Sequence, residues 1–446
     1  MSRLWDKGAS GSETDPLVLD FTTGRDPELD LYLVPYDCVA SAAHAQELQR
    51  IGVLTAKEAA NLRRELGRIR ENCLAGDFSI PYEMEDGHTA IEAELTAKLG
   101  KAGAKIHAGR SRNDQVSAAM KLYLIDKLCG LEWSALHLAE QLLSRSKTSR
   151  KWPMPGFTHI RRAMPSTVGM WFAGYAERLL DDTEDLKHAL VAADKSPMGT
   201  AAGYGSPLPL SRPRLARKAG FTEVTVVPAA AQLSRGRTEL SALCSFLGLS
   251  LTLDRLGADV VLFTTAEFGL LRLPDELTTG SSIMPQKRNP DLAECLRPVS
   301  SMLAGRVVEV SSVMSHLPSG YHRDLAATKG PVIDSVRRLD HALSAATLLV
   351  QKLEVDRDNC AAAVTPEIMQ AHKAAELAAK GMPFRDAYRK VADGKADAGP
   401  VDIALEEPGL SELKALRERL STLRRSWRRV RSRIDRTTKA AFEVQK

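Results

Sequence analysis

The chain has 446 residues, which is too long for one compact core, so we expect two or three domains. Hydrophobic residues make up 44% of it and charged residues 26%, as in a globular protein with a large core and a hydrated surface. The net charge of +5 is small for this length and does not by itself indicate a nucleic-acid partner.

The cysteines and the apolar runs narrow the class of protein further. Six cysteines stand singly, without the close pairs of a disulfide scaffold, a metal site or a redox dithiol. The first residues, Met-Ser-Arg-Leu-Trp-Asp-Lys, contain no apolar signal core. The longest uncharged apolar run, residues 240–253, is shorter than the roughly 18 residues that suggest a membrane span. We therefore expect a cytoplasmic protein with reduced thiols and no membrane segment.

Helical patterns follow one another along most of the chain. Thr55 and Glu58 form a predicted capping box, apolar residues follow at helical spacing, and Gly76 ends this first helix. Longer helices are predicted over residues 114–143, over residues 238–268, from Pro290 onward and over residues 339–353. The helix over residues 238–268 is apolar on nearly every face, so we expect oligomerisation to complete its burial.

These patterns predict an all-α fold of three helical domains around a central bundle of long helices. The predicted domains are an N-terminal helical domain over residues 1–105, the bundle over residues 106–355 and a C-terminal helical domain over residues 356–446.

The last segment, residues 413–434, combines apolar residues at steps of three and four with many arginines. One interpretation is a basic stripe that binds nucleic acid. The other is an amphipathic helix that packs on the core and leaves a basic face in solvent. We favour the second, and predict no nucleic-acid partner, because aromatic residues that could stack on bases are nearly absent.

Five segments gather polar and charged residues where helices would otherwise begin or end. They are residues 85–92, 107–115, 155–162, 280–290 and 320–329. Taken singly, each has a structural interpretation, such as helix capping near Arg112 or an ordinary hydrogen-bonding role for His88. No two histidines have the spacing of helical metal ligands, so no metal site is predicted. Several such clusters in one apolar, helical chain indicate a shared functional site.

Residues 280–290 read Gly-Ser-Ser-Ile-Met-Pro-Gln-Lys-Arg-Asn-Pro and are the most informative of these segments. Ser281, Ser282 and Lys287 bring two hydroxyls and a cation behind a glycine hinge, and these groups suit an anion. Such a loop could also take a proton from a carbon of that anion. The segment predicts a helix start, with Asn289 as the cap and Pro290 at the first helical position.

This loop resembles the signature of the fumarase/aspartase superfamily. Residues 109–116, Gly-Arg-Ser-Arg-Asn-Asp-Gln-Val, resemble the argininosuccinate lyases within it, as do residues 155–159 and 321–325. The resemblance extends from Leu4 and Trp5 to residues 381–385. It implies a homotetramer whose active sites are each assembled from three subunits. It also implies cleavage of argininosuccinate to arginine and fumarate, in arginine biosynthesis and without a cofactor.

The resemblance also implies a role for each matching residue. Ser281 is the implied base that removes a proton beside a carboxylate, and Lys287 stabilises the aci-carboxylate that results. His159, paired with Glu294, is implied to protonate the leaving guanidinium or to hold charge near it. The residues implied to bind the substrate or the aci-carboxylate are Arg112, Asn113, Thr158, Ser282, Asn289, Tyr321 and Lys329.

The chain departs from the common pattern of these lyases around the implied leaving group. After Thr-His the usual Leu-Gln-Arg-Ala-Gln-Pro is Ile-Arg-Arg-Ala-Met-Pro, which introduces Arg161 and Met164. Ala326 stands where a glutamine would touch the substrate. Two alternatives therefore stay open: a sibling lyase that releases fumarate from another adduct, and a lyase recruited as a crystallin-like structural protein. The presence of the whole implied catalytic set disfavours the structural protein.

Overall fold

The computed structural model describes residues 15–394 and 406–443. Nearly all of its regular structure is helical, which confirms the all-α prediction, and its strands are short and pair two by two. Leu4 and Trp5, and the N-terminal segment predicted to lack a signal core, lie outside the described residues. Within the described ranges, no helix is long and apolar enough to cross a membrane.

From residue 15 to the bundle, the structure contains six short or medium helices. They are α1 (Pro16–Thr23), α2 (Asp26–Asp30), α3 (Val34–Arg50), α4 (Ala56–Ala75), α5 (Gly87–Leu99) and α6 (Lys101–Ala104). Helix α4 begins and ends as predicted. Thr55 and Glu58 form the capping box, and Gly76 adopts a φ of 86° that satisfies the last carbonyls and ends the helix.

The central region contains five long helices and three short ones. They are α7 (Arg112–Thr148), α8 (Val168–Ala193), α9 (Arg212–Ala219), α10 (Pro228–Leu233), α11 (Arg237–Phe263), α12 (Asp291–Glu294), α13 (Arg297–Met314) and α14 (Lys329–Lys352). Helix α7 packs along α8 and α14, and α11 packs against α8 and α13. Helices α7, α11 and α14 confirm three of the predicted long helices. The helix predicted from Pro290 is interrupted, because α12 has only four residues and α13 begins at Arg297.

Helices α7 and α14 run in the same direction, so both begin at one end of the bundle and finish at the other. Near the end of α7, Arg145 donates to the carbonyl of Leu353, just past α14, at 2.6 Å. We call the end where they begin the proximal end and the end where they finish the distal end. At about 1.5 Å per residue, the 37 residues of α7 separate the two ends by roughly 55 Å.

A β-hairpin that the sequence patterns did not predict lies at the distal end. Strands β1 (Pro153–Thr158) and β2 (Arg161–Thr167) pair in antiparallel fashion directly after α7. Phe157 anchors the hairpin on α11, since its ring centroid lies 5.5 Å from that of Phe263. The remaining strands have two residues each: β3 (Lys195–Ser196), β4 (Glu223–Val224), β5 (Leu271–Arg272), β6 (Thr279–Gly280), β7 (Arg288–Asn289) and β8 (Glu354–Val355). Strand β3 pairs with β4, β5 with β8 and β6 with β7.

In the described residues after the bundle there are four helices: α15 (Arg357–Ala362), α16 (Gln370–Ala379), α17 (Phe384–Ala392) and α18 (Leu410–Phe442). Helix α18 confirms the amphipathic interpretation of the basic segment. One face buries Leu413, Leu420, Leu423 and Trp427. On another, Arg424 and Arg433 form ion pairs with Glu140 and Asp194 at 2.8 and 2.6 Å. Carboxylates of the same chain therefore neutralise part of the basic face.

Candidate active site

Four of the predicted substrate-binding residues lie together at the proximal end. Arg112 and Asn113 begin α7, Lys329 begins α14, and Tyr321 lies in the loop before α14. All four line one cleft of about 130 Å³, which we call the proximal cleft. Ala326, where the resemblance expects a glutamine, lines the same cleft.

A capping box fixes the first residues of α7. Ser111 accepts a hydrogen bond from the backbone N–H of Asn113 at 3.2 Å, and Asp114 accepts one from the backbone N–H of Ser111 at 3.0 Å. The second carboxylate oxygen of Asp114 accepts from the backbone N–H groups of Gly199 and Ala201 at 3.0 and 3.1 Å. The polar cluster therefore serves both as a helix cap and as the frame that holds Arg112 and Asn113 at the cleft.

The ammonium of Lys329 sits between two carboxylates. It lies 2.6 Å from Asp30 and 2.7 Å from Asp26, and the residue is only 5% exposed. Burial favours the neutral amine, but the two carboxylates outweigh it and raise the pKa of Lys329. Asp30 also accepts from the backbone N–H of Gly87 at 2.9 Å, so this cluster ties α2, α5 and α14 together.

Replacing Lys329 by methionine is expected to lower the free energy of unfolding by about 3–5 kcal/mol, because Asp30 would be left buried without its cation and Asp26 would keep only the longer contact with Arg323. Denaturant unfolding at a fixed protein concentration measures the change. The matched control is Lys352→Met, whose exposed ion pair with Glu276 predicts a loss below about 1 kcal/mol. Equal losses in the two variants would contradict the structural role of Lys329.

Asp86 and His88 also line the proximal cleft, although the sequence analysis assigned them no role at the site. Nε2 of His88 lies 3.0 Å from Oδ2 of Asp86, and Arg112 lies 3.3 Å from the same oxygen. Burial acts to raise the pKa of Asp86, but His88 and Arg112 together hold it well below its usual range. Asp86 therefore stays ionised, caps α5 through the backbone N–H of Thr89 and orients Arg112.

Asp26 and Arg235 also line the cleft, although neither lies in one of the five polar segments of the sequence. Asp26 begins the short helix α2, and Arg235 precedes α11. In the sequence, neither residue can be told apart from an ordinary charged residue on the surface. Both α2 and α11 pack against α14, and Arg235 also donates to the backbone carbonyl of Asn113 at the start of α7. These tertiary contacts bring Asp26 and Arg235 to the cleft.

Thr158 and His159 lie at the distal end, on the β1–β2 hairpin. Thr158 pairs with Arg161, so His159 and Ile160 form a two-residue turn. Both turn residues have positive φ, 53° and 58°, as a type I′ turn requires. That backbone is strained for a β-branched residue, and Ile160 is also 66% exposed. The hairpin thus holds His159 at an exposed, strained tip, a pattern that is typical of functional sites.

The loop of residues 281–287 connects β6 to β7 and projects from the distal end. Oγ of Ser281 accepts hydrogen bonds from the backbone N–H groups of Ile283 and Met284 at 3.3 and 3.1 Å. Ser282 and Lys287 are exposed. The base of the loop is tied to the end of α14 by the ion pair of Glu276 with Lys352 at 2.5 Å.

The predicted cap of the following helix is wrong. Asn289 pairs with Thr279 in the β6–β7 ladder, which requires extended backbone, and its amide donates to the carbonyl of Gly280 at 3.5 Å. Pro290, predicted as the first helical residue, occupies the cap position of α12 instead, so the helix begins at Asp291.

Glu294 ends α12 and lies 3.8 Å from Arg297. Among the described residues of one chain, no ion pair or hydrogen bond joins Glu294 to His159. The expected His159–Glu294 pair is therefore not formed within a single chain.

The predicted site residues thus occupy two ends of one bundle. Arg112, Asn113, Tyr321 and Lys329 lie at the proximal end, and Thr158, His159, Ser281, Ser282, Lys287, Asn289 and Glu294 lie at the distal end. The 37 residues of α7 span roughly 55 Å between the two ends, and the 24 residues of α14, from Lys329 to the Lys352 that pairs with Glu276, span roughly 35 Å. The two groups are therefore at least roughly 30 Å apart in one chain. A small substrate cannot contact both groups of the same chain.

The fold and the family match agree on the class of protein. A family model described as lyase matches residues 8–308. Among solved structures, EDDS lyase in complex with formate aligns with a TM-score of 0.79 at 19% identity, over 96% of this chain and 95% of that one. Class II fumarase from Schistosoma mansoni aligns with a TM-score of 0.70 at 17% identity, over 84% and 89%. The structures show the shared fold, and the family match defines an enzyme of the lyase class.

Relatives found by sequence comparison have a higher identity to this chain than these solved structures. Argininosuccinate lyase from Sorangium cellulosum (strain So ce56) is 46% identical over 393 residues, 87% of this chain and 90% of the relative. Argininosuccinate lyase from Xylella fastidiosa (strain 9a5c) is 42% identical over 431 residues, 95% of this chain and 96% of the relative. The chain therefore belongs to the argininosuccinate lyase family, within the fumarase/aspartase superfamily.

Proposed function

We propose that this chain cleaves argininosuccinate to arginine and fumarate by anti β-elimination, as the last step of arginine biosynthesis. The names of its relatives suggest the substrate. One observation about this chain supports the chemistry: Oγ of Ser281 accepts from two backbone N–H groups on an exposed loop that also carries Lys287. An elimination through a carbanion needs such hydrogen-bond donors and a cation around the group that removes the proton.

The proton to be removed lies beside a carboxylate and is weakly acidic. A serine hydroxyl is a poor base unless its alkoxide is stabilised. The backbone N–H groups of Ile283 and Met284 already point at Oγ of Ser281, so they stabilise negative charge there without reorganisation. Lys287, six residues further along the same loop, adds positive potential. We therefore assign Ser281 as the base.

Removal of the proton creates an aci-carboxylate, which Lys287 and Asn289 stabilise and Ser282 helps to bind. Its electrons then form the new double bond, and the bond from carbon to the guanidinium nitrogen breaks. That nitrogen takes up a proton, which we assign to His159. In our proposal Glu294 from another copy of the chain orients His159, because the pair is not formed within one chain.

The proximal cleft receives the arginine half of the substrate. Arg112, Asn113, Tyr321 and Lys329 line it. Thr158, at the base of the hairpin tip, binds the substrate beside His159. This assignment makes the loop responsible for the fumarate half and the cleft responsible for the leaving group.

We propose a homotetramer in which each active site combines the proximal cleft of one copy with distal segments of others. The separation of at least roughly 30 Å within one chain supports it, because only different copies can bring Ser281 and Asn113 together. Exposed apolar side chains on the bundle also support it. Leu251 on α11 is 48% exposed, and Met302 and Val308 on α13 are 50% and 63% exposed.

The proposal also covers the location of the protein and its division into domains. We place the protein in the cytoplasm, without a nucleic-acid partner. We divide the chain into an N-terminal domain over residues 1–105, the bundle over residues 106–355 and a C-terminal domain over residues 356–446. The positions of α7 at the start of the bundle and α15 after it support these boundaries.

The test is a substrate panel with the purified wild-type protein. We expect fumarate release, followed by its ultraviolet absorbance, from argininosuccinate and none of comparable efficiency from adenylosuccinate, malate or aspartate. Preference for another member of the panel would identify a sibling lyase. An inert but assembled protein would instead support the crystallin-like alternative.

A further inference from the structure

The charges that line the proximal cleft are paired, with one exception. Lys329 is held by Asp26 and Asp30, and Arg112 lies 3.3 Å from Asp86. Arg323 lies 3.5 Å from Asp26. Among the described residues, no carboxylate lies within ion-pair distance of Arg235, although it lines the same cleft.

Arg235 is buried without a counter-ion. The residue is 6% exposed, and within the described residues its guanidinium has one hydrogen bond, from Nη1 to the backbone carbonyl of Asn113 at 3.3 Å. Its Cζ lies 5.2 Å from the centre of the Tyr321 ring, a cation–π contact. Nε is buried and, within the part of the chain that the structure describes, has no hydrogen-bond partner. A carbonyl and a ring offset only part of the cost of burying a cation, so the site favours an anion.

Glu239, one helical turn further along the chain, is not the counter-ion of Arg235. Glu239 is buried, but it acts on Lys121. Burial lowers the pKa of Lys121 to about 8, while Glu239 opposes that shift and Arg235 adds to it. Within the described residues, no ion pair or hydrogen bond joins Glu239 to Arg235, so the guanidinium has no direct counter-ion at the cleft.

Ala326 and Arg235 line the same cleft. The resemblance expects a glutamine there that touches the substrate, and a methyl group cannot form that hydrogen bond. A planar guanidinium can bind a carboxylate through two parallel hydrogen bonds. This chain thus offers a charged group at a cleft wall that has lost a neutral polar one.

We infer that Arg235 binds the carboxylate of the arginine half of the substrate. This inference rests on the proposed cleavage of argininosuccinate, whose arginine half carries one carboxylate and one α-ammonium. The carboxylate neutralises Arg235, while the carboxylates of Asp26 and Asp86, which line the same cleft, attract the ammonium. Arg235 is thereby a specificity-determining residue that distinguishes arginine from amines that lack a carboxylate.

The test compares two substrates in two proteins. The second substrate is the succinate adduct of agmatine, in which hydrogen replaces the arginine carboxylate. In the wild type, we expect this replacement to raise KM at least about tenfold, as expected for a charged hydrogen bond. In Arg235→Met, KM for argininosuccinate should rise by a similar factor, and removal of the carboxylate should cause little further change.

Arg237→Met is the matched control, because Arg237 lies two residues away and is exposed outside the cleft. It should retain the discrimination between the two substrates, and Arg235→Lys should retain part of it. Equal KM values of the wild type for both substrates would overturn the role of Arg235 even if Arg235→Met failed to fold. So would full discrimination in a folded Arg235→Met protein. Absence of cleavage of either substrate by the wild type would instead overturn the proposed function.

Discussion

Replacing Ser281 by alanine is expected to lower the rate of fumarate release at least about a thousandfold, the scale seen when a group that acts on the reacting atoms is removed. The change removes the oxygen that takes the proton. The backbone N–H groups of Ile283 and Met284 then have no charge to stabilise. Single-turnover measurements of fumarate absorbance would place the loss in the chemical step, with the affinity for argininosuccinate nearly unchanged.

The same substitution should leave the fold and the oligomer intact. Ser281 lies on an exposed loop, so the two lost hydrogen bonds are replaced by water at a cost below about 1 kcal/mol. Ser282→Ala is the matched control. It removes a neighbouring hydroxyl that we assign to binding, so it should mainly raise KM. Near-normal turnover in Ser281→Ala would show that another group is the base.

The ends of the helices could be predicted where the chain carries local signals. The capping box of Thr55 and Glu58 and the glycine at residue 76 define α4 on their own, because each satisfies backbone groups through neighbours in sequence. The β1–β2 hairpin could not be predicted in this way. Its turn residues are His159 and Ile160, where the usual signal is Asn-Gly or Asp-Gly. Tertiary contacts such as that of Phe157 hold it instead.

The site residues also divide into those that local sequence signals predict and those that only tertiary contacts bring together. Arg112, Asn113, Tyr321 and Lys329 stand in polar segments, so the sequence could nominate them, and the structure places them in one cleft. Arg235 could not be nominated, because its function depends on the absence of a carboxylate around it. Such an absence is a property of the folded surroundings and has no motif.

The cap predicted at Asn289 failed for a related reason. Asn, Pro and Asp in succession favour a helix start, and that local preference is real. The β6–β7 pairing of Asn289 with Thr279, however, requires extended backbone at the same residue. Closing the loop that presents Ser281 takes precedence over capping a helix of four residues, α12.

The division of the site between copies of the chain predicts that two inactive variants restore activity when mixed. Ser281→Ala removes the base at the distal end. Asn113→Leu removes a substrate contact at the proximal end. The Asn113 side chain has no hydrogen bond within the described residues, so this variant should fold. If the subunits mix at random in equal amounts, about one quarter of the sites receive an intact loop and an intact cleft.

Activity near one quarter of the wild-type value is therefore expected after co-expression or after joint unfolding and refolding. The control mixes Ser281→Ala with Lys287→Met. Both changes lie on the loop between β6 and β7, and every site receives its whole loop from one copy, so no site can be repaired. Equal failure of both mixtures would mean that one chain completes its own site. The separation of at least roughly 30 Å between the loop and the cleft makes that outcome incompatible with the fold unless the bundle itself rearranges.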